Sequence, residues 1–206
     1  MSDARSTGAT GKAEQKQRSH ETILESAARL LRERGISGAS VADVMKGAGL
    51  TVGGFYAHFA SKEAMIDAAM RRTAKAMRDR LFSRLDDKPA ADRGEIVLKR
   101  YLSAAHRDDL RDGCSLPAIV GEVSTSATEH RDALHAQIDA FADQLEGHLP
   151  AQPNVTRRHL ALGMIALMYG GLTLARALRG TELSDEVLRA CRALGRLAAR
   201  SDREQP

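Results

Sequence analysis

The sequence predicts an all-α protein, and three observations support this fold class. Apolar residues recur at helical spacing along most of the 206-residue chain, and no strand-like alternation persists. Aromatic residues make up only 3% of the chain, so aliphatic and methionine side chains must fill the core, which suits close-packed helices. With 43% apolar and 28% charged residues, the composition is that of a globular protein with one or two domains.

The first predicted elements are a polar arm and one helix. Residues 1–16 are rich in Gly, Ser, Thr and Lys, so we expect them to be disordered. Lys12, Lys16 and Arg18 form a basic arm that either contacts phosphates or serves only as a solubilising tail. A helix is then predicted over residues 19–34, and the glycine that follows it is a typical C-terminal cap.

Two short helices and a longer one are predicted next. Each begins at a Ser or Thr, side chains that cap helix N-termini well. The predicted segments are 40–48, where Ser40 and Asp43 form a capping box, 51–59 with Thr51 as its cap, and a long helix from Ser61 towards Leu85. Gly49 makes the turn between the first two of these segments.

The remaining residues continue the helical pattern as far as the C-terminus. Proline residues divide this part of the chain into segments. The predicted helices are 95–105, 115–124 with Pro117 in its first turn, 134–149 ended by Pro150 and Pro153, 155–179 and 184–200.

Charge and cysteine content narrow the functional classes. The net charge is +4, and residues 1–80 hold 14 basic and 9 acidic residues, so the basic excess lies in the N-terminal part and predicts a polyanionic partner. Cys114 and Cys191 give neither metal-binding spacing nor a disulfide framework, which fits a cytoplasmic protein.

Several other classes are not expected. The apolar run 160–175 is shorter than the roughly 20 residues that span a bilayer, so we expect a buried helix and no membrane partner. The N-terminus lacks the apolar core of a signal peptide. The sequence contains no nucleophile elbow, phosphate-binding loop, His-rich metal spacing or dinucleotide fingerprint, so no catalytic residue, metal or cofactor is expected.

Residues 40–59 have the pattern of a helix-turn-helix, two short helices joined by a tight Gly-Leu turn. On a helical wheel Phe55 and Phe59 share one face, which would anchor the second helix in the core. The opposite face holds Gly53, Gly54, Ala57 and His58. These small side chains allow close approach to another surface, such as a DNA major groove. The alternative is a hairpin that serves only packing, with Tyr56 in the core.

A family resemblance supports the DNA-binding interpretation. The stretch "ILESAARLLRERGISGASVADVMKGAGLTVGGFYAHFASKEAM" resembles the DNA-binding domain of TetR-family transcriptional regulators from end to end. The similar features are the small residues around Gly35, the helix "VADVMKGAG", and the Tyr-x-His-Phe tetrad followed by Ser-Lys-Glu. The resemblance covers about residues 17–77, and it implies a homodimer in which each subunit inserts the helix 51–58 into a major groove of double-stranded DNA.

Residues that would contact DNA are predicted both from their side-chain chemistry and from the family resemblance. Tyr56, His58 and Lys62 can reach phosphate oxygens, and Val52 and Ala57 can contact thymine methyl groups. The contacts that the resemblance implies are Ser40, Val41, Thr51, Val52, Gly53, Tyr56, His58 and Lys62.

Residues 78–206 are similar to the family in size and helical texture. The resemblance implies a helical domain with a ligand pocket among its middle helices and a dimer interface on its last two. The pocket candidates, which are either adaptable apolar lining or plain core, are Tyr101, Cys114, Glu122, Phe141, Met164, Met168 and Tyr169. The dimer candidates, which equally suit packing within one chain, are Gly170, Gly171, Leu188, Cys191 and Leu194.

Cys114 carries a separate hypothesis. It precedes a predicted helix N-terminus, and Arg107 and Arg111 are near it in sequence. Such surroundings lower the pKa of a thiol, so a redox or electrophile switch is one interpretation. A small buried residue at a helix start is the other.

The function that the sequence predicts is a ligand-responsive regulator, a repressor that a small-molecule effector releases from a palindromic operator. Its partners would be operator DNA, a second copy of the chain and the effector. An architectural DNA-binding protein without a ligand is the alternative, and it would bind without sequence preference and with a steep salt dependence.

Overall fold

The computed structural model describes residues 6–199, and these form an all-α protein, as the sequence predicted. The helices are α1 (Ser6–Arg34), α2 (Val41–Gly47), α3 (Lys62–Leu81), α4 (Ala90–Tyr101), α5 (Ala104–Asp108), α6 (Leu116–Thr125), α7 (Arg131–Glu146), α8 (Arg157–Ala177) and α9 (Glu182–Ala199). Two 3₁₀ segments, Val52–Ala57 and Thr128–His130, complete them. We call Val52–Ala57 the 3₁₀ helix.

The start of α1 differs from the prediction. The helix begins at Ser6, so residues 6–16 are helical where the sequence predicted a disordered arm; residues 1–5 of that arm lie outside the described residues. Good helix formers between Lys12 and Arg18 favour this extension. Pairs one turn apart support it, Glu14 with Arg18 at 3.8 Å and Gln17 with Glu21 at 3.2 Å.

α1, α2, the 3₁₀ helix and the first part of α3 pack around one apolar core. α1 lies against both α2 and α3, and Met45, Phe55 and Met65 are fully buried between them. Ser40 caps α2 by accepting from Asp43 N at 3.1 Å, and Ser61 caps α3 by accepting from Ala64 N at 3.1 Å. Both caps agree with the sequence prediction.

α3 is continuous from this core into the rest of the molecule. The predicted domain boundary, between residues 77 and 78, therefore lies inside a helix. α3 ends at Leu81 rather than near Leu85, because the chain turns at Arg84, whose φ is +53°. Leu85 is buried all the same, so its apolar character reflects packing after the turn.

The C-terminal helices form a second packed layer, in which α8 lies between α7 and α9, and α4 packs on α9. Glycines allow the close contacts: a Cβ on Gly195 would lie 2.7 Å from a methyl group of Leu98. α8 is long and apolar enough, by length and composition, to cross a membrane. Only 39% of its most apolar window is buried, so part of the helix lies against the chain's own core and part faces outwards.

Candidate nucleic-acid interface and ligand-binding region

The second helix of the predicted helix-turn-helix is a 3₁₀ helix. Its bonds run from Gly54 N to Thr51 O at 3.1 Å and from His58 N to Phe55 O at 2.9 Å. The tighter winding suits a six-residue segment that contains two glycines, each of which disfavours an α-helix. Thr51 precedes this helix with extended backbone, but its side chain makes no capping hydrogen bond, so that part of the prediction is wrong.

Two phenylalanine rings fasten the 3₁₀ helix to the core. Phe55 is fully buried, and its ring stacks on Phe59 with centroids 5.8 Å apart. Tyr56, the neighbour of Phe55, is 76% exposed, and Val52 is 51% exposed. One face is therefore anchored and the other is open, as the helical wheel predicted.

The predicted DNA-contact residues lie at three adjacent places. The residues are Ser40 and Val41 at the start of α2, Thr51, Val52, Gly53, Tyr56 and His58 on or beside the 3₁₀ helix, and Lys62 at the start of α3. α2 packs against the 3₁₀ helix, and Leu50 N bonds to Met45 O at 2.9 Å in the turn between them. The first two groups therefore sit on adjoining elements.

Gly53 shows why the exposed face carries small residues. A Cβ built on it would meet nothing within 4 Å, and its φ is not in the left-handed region. Neither packing within the described chain nor backbone conformation requires a glycine there. An external surface that approaches the backbone closely does require one.

Basic groups from α1 reach the same region. The ring of His20 stacks on Phe59 with centroids 4.6 Å apart, and its centroid lies 6.0 Å from that of His58. Burial, and then His20 and Lys16, lower the pKa of His58. Lys16 is therefore close enough to interact electrostatically with His58, beside the 3₁₀ helix. This supports a polyanion contact for the basic arm.

Several pocket candidates form a closed cluster rather than a pocket. Tyr101 donates to the Sγ of Cys114 at 3.3 Å, and the rings of Tyr101 and Phe141 stack with centroids 6.4 Å apart. Met164 and Met168 are also buried. The void beside Cys114 and Phe141 measures only about 10 Å³, which is too small for a ligand.

Glu122 lies elsewhere and has a different partner. Its carboxylate accepts from Ile36 N at 2.7 Å and from Ser37 N at 2.8 Å, in the turn between α1 and α2. Burial alone would raise the pKa of Glu122, but these bonds outweigh it and hold the pKa below its ordinary value. The pocket prediction for Glu122 is corrected. The sequence shows that Glu122 lies in an apolar helix, but it does not show that its partner is Ile36, 86 residues away.

An open cleft adjoins the closed cluster. It has a volume of about 570 Å³ and lies between α3, α4 and α5. The lining residues are Met77, Arg80, Leu81, Lys99, Arg100, Ser103, Ala105, His106 and Asp109. Sequence reasoning missed these residues, because charged residues on an amphipathic helix resemble an ordinary solvated face. Met77 also borders the small void beside Cys114.

Cys114 is not in a thiolate-stabilising environment. It is almost fully buried, and burial raises the pKa of its thiol, whereas the redox or electrophile interpretation required a lowered pKa. The nearby arginines are engaged differently: Arg107 pairs with Asp185 at 2.6 Å, and the carbonyl of Arg111 accepts from Arg32. The geometry favours the buried-residue interpretation.

The loop that carries Cys114 is held by Arg176 of α8. The guanidinium donates only to backbone carbonyls. These belong to Cys114 at 2.8 Å, His106 at 3.1 Å, Arg107 at 3.2 Å and Asp109 at 3.4 Å. One side chain thus holds the connection between α5 and α6 at both its start and its end.

Three of the predicted dimer residues pack within the chain. A Cβ on Gly171 would lie 2.8 Å from the Sγ of Cys191, and Leu188 is buried. Leu194 is exposed, and a Cβ on Gly170 would meet nothing within 4 Å, so these two remain on the outer face. The outer leucines that sequence reasoning missed are Leu174, Leu183 and Leu197. A helical wheel alone does not tell which apolar stripe faces the chain's own core.

Comparison with known proteins bears on this geometry. A sequence profile described as "Bacterial regulatory proteins, tetR family" matches residues 23–69. The HTH-type transcriptional repressor KstR2 of Mycobacterium tuberculosis H37Rv is 43% identical over 65 residues, which are 32% of this chain and 30% of that protein. KstR2 of Rhodococcus jostii RHA1 is 28% identical over 134 residues, 65% of this chain and 53% of that protein. The matches thus span about a third to a half of these relatives.

Solved structures extend the likeness to most of the chain. A TetR transcriptional regulator from Chloroflexus aurantiacus J-10-FL superposes with a TM-score of 0.74 and 28% identity, over 89% of this chain and 95% of that one. A TetR-family regulator from a Rhodococcus species has a TM-score of 0.72 at 17% identity, over 89% and 99%. The second likeness shows the fold alone.

The anchored helix-turn-helix with its open face defines a class, the DNA-binding regulatory proteins. Within that class, the profile match and the superpositions are specific. Residues 23–69 match the TetR family of bacterial regulatory proteins, and the fold of most of the chain is that of TetR-family regulators.

Proposed function

We propose that this protein is a cytoplasmic transcriptional repressor that binds a palindromic operator as a homodimer and is released by a small-molecule effector. The carrying observation is the 3₁₀ helix, whose Phe55 face is buried while Val52, Gly53 and Tyr56 face outwards. A segment fixed on one side and uncovered on the other is what major-groove docking requires.

On DNA, the residues would divide into two roles. Tyr56, His58 and Lys62 would contact phosphates and fix the register, whereas Val52 and Gly53 would approach the base edges. Ser40 and Val41 would contact the backbone beside the groove. Two copies of this surface would read half-sites that are roughly 34–36 Å apart, or a further helical turn apart.

The proposed dimer would form through the outer faces of α8 and α9. Exposed apolar residues lie on both helices, and a Cβ on Gly163 or Gly170 of α8 would meet nothing within 4 Å. Exposed leucines on two adjacent helices are costly in water, and small residues let a partner helix approach. Both features support a second copy of the chain as the partner.

The proposed effector site is the cleft of about 570 Å³ between α3, α4 and α5. Its volume is in the range of small-molecule sites. Met77, a flexible side chain, separates the cleft from the cluster of Tyr101, Cys114 and Phe141, so movement of Met77 would join the two. α3 links this cleft to the end of the 3₁₀ helix. An effector that favours another α3 position would shift the dimer away from the DNA-binding state.

The proposal is tested by binding to labelled DNA from upstream of the protein's own gene, with unrelated DNA as competitor across a salt series. We expect a complex that resists the competitor. The variant Tyr56→Ala/His58→Ala should remain folded and dimeric and lose roughly 100-fold or more in affinity, because phosphate contacts position the helix. The matched control His135→Ala/His159→Ala, which removes two exposed rings elsewhere in the chain, should bind as the wild type does. Equal binding to both DNAs would instead indicate an architectural protein.

A further inference from the structure

A second, polar cleft lies between α1, the end of α2 and the connection from α5 to α6. Its volume is about 420 Å³. It shares no lining residue with the proposed effector cleft or with the predicted DNA contacts. Ser26, Arg29 and Arg32 line it from α1, Gly47 from α2, and Arg111 from the connection.

Two buried polar atoms in this cleft have no partner among the described residues. They are the Oγ of Ser26, a residue that is only 4% exposed, and the Nε of Arg32. Nearly all buried polar groups in proteins are hydrogen-bonded, so each exception calls for a reason. Arg29 and Arg111 add two guanidinium groups that form no ion pair within 4 Å anywhere in residues 11–199.

Gly47 allows α1 and α2 to approach closely at one edge of this cleft. A Cβ built there would lie 2.3 Å from the Oγ of Ser26 and 2.8 Å from the Nη2 of Arg29. Gly47 does not have a positive φ, so its backbone does not demand glycine. The Ser26 hydroxyl and the Arg29 guanidinium therefore lie directly against the Gly47 backbone, and any larger residue at position 47 would displace them.

The charged side chains that line this cleft indicate which chemical class of ligand it would bind. Three arginines face two carboxylates, those of Glu25 and Asp112, and Asp112 is near enough to influence Arg32. The cleft keeps a positive excess, and guanidinium groups with a hydroxyl are the donors that a phosphate accepts from best. The volume is larger than a phosphate ion needs and lies in the range for small metabolites.

We propose that this cleft is a binding site for the phosphate group of a small metabolite, distinct from the effector site. The phosphate would lie within the cleft, against Ser26, Arg29 and Arg32. Glu25 and Asp112 would accept from hydroxyl groups on the remainder of the ligand. Such a ligand would connect α1 and α2 to the connection that contains Arg111.

The test is isothermal titration of the full-length chain with inorganic phosphate, without DNA and at constant ionic strength. We expect saturable binding in the wild type and about tenfold or greater weakening in Arg29→Gln and Gly47→Ala. The first variant removes a charge-assisted contact, and the second displaces the Ser26 hydroxyl and the Arg29 guanidinium. Arg131→Gln and Gly121→Ala are matched controls, an exposed arginine and a helical glycine with open space, and should bind as the wild type does.

The outcomes are decisive in either direction. Absence of saturable heat in the wild type, or equal affinity in Arg29→Gln, would overturn the site. If Gly47→Ala fails to fold, Ser26→Ala removes the hydroxyl without adding volume and should weaken binding in its place. If an unrelated 20-base-pair duplex displaces phosphate, the cleft contacts DNA and the metabolite assignment is wrong. Because no operator is used, the repressor proposal can fail independently.

Discussion

His106 is held by two hydrogen bonds that require a neutral imidazole. Its Nε2 accepts from Cys114 N at 3.0 Å, so that nitrogen carries no proton. Its Nδ1 therefore carries the ring proton and donates to Tyr101 O at 2.7 Å. Burial is the largest cause that lowers the pKa of His106 from 6.5 to about 4.

This residue predicts a pH dependence of stability. Between pH 6.5 and about 4 the unfolded chain binds a proton at His106 and the folded chain does not, so stability falls as pH falls. The loss at this site should be about 2 kcal/mol between pH 7.5 and pH 5. Urea unfolding at both pH values should show a smaller loss in His106→Asn. His135→Asn, at an exposed position, should keep the wild-type difference; equal losses in all three proteins would refute the argument.

Residue-level reasoning from the sequence succeeded where the cause was local. Phe55 and Phe59 were assigned to the buried face from spacing alone, and Ser40 and Ser61 were assigned as caps from their neighbours. For Cys114 it left two interpretations open, and the structure decides between them because distant parts of the chain bury the thiol.

At the scale of elements, α6 is tied to the turn between α1 and α2 by Glu122. Gly35 has φ +73°, and a Cβ on it would lie 2.0 Å from the Oε1 of Glu122. The turn therefore exposes the amides of Ile36 and Ser37 to one carboxylate, which approaches where no side chain obstructs it. The contact joins the helix-turn-helix to the body of the protein.

Removing this contact should affect stability and DNA binding together. Glu122→Ala leaves two amides without their partner and should lower the free energy of unfolding by about 1–3 kcal/mol. Glu122→Gln retains an acceptor and should lose less. Operator affinity should fall in the same order, because α2 begins just after the turn. Glu33→Ala, at an exposed acid of α1, is the control for both assays. A Glu122→Ala variant with unchanged stability would contradict the assigned role.

The elements themselves were largely predictable, and the exceptions have physical reasons. The 3₁₀ winding of residues 52–57 follows from two glycines in a short segment, a feature that apolar periodicity does not register. The start of α1 is helical because its residues have high helix propensity, whereas their polar character had predicted disorder. The end of α3 at Leu81 depends on a turn whose central residue is not a glycine.

For the whole molecule, the outer face of α8 and α9 carries several exposed leucines. Leu194 and Leu197 are 59% and 68% exposed on α9, and Leu174 is 55% exposed on α8. Their neighbours Leu188 and Gly171 complete the packing inside the chain. The outward leucines have no comparable contact, and this is the basis of the proposed dimer.

The proposed dimer predicts a specific loss of assembly. Leu194→Glu/Leu197→Glu places two charges on the outer face and should give monomers in sedimentation velocity, because charges are excluded from the centre of such interfaces. Val155→Glu, at an exposed apolar position in the loop before α8, should leave the mass unchanged. Helical content should stay as in the wild type. A double variant that remains dimeric would place the interface elsewhere.

At this scale the all-α class and the helix-turn-helix were predictable, because a repeating pattern and a local motif define them. The cleft between α3, α4 and α5 was not, since three separate helices form it and no single segment carries its signature. The dimer interface on the last two helices stays a prediction, but three of its candidate residues, Gly171, Leu188 and Cys191, pack within the chain.

The hydrogen bonds from Arg176 to the loop between α5 and α6 also have a consequence for biosynthesis. The carbonyls that it holds, from His106 to Cys114, leave the ribosome more than sixty residues before Arg176 does. The N-terminal helices can therefore assemble on a nascent chain while this loop still lacks its restraint. A chain that stalls before α8 would carry the helix-turn-helix without a formed loop, and it would expose that loop to proteases.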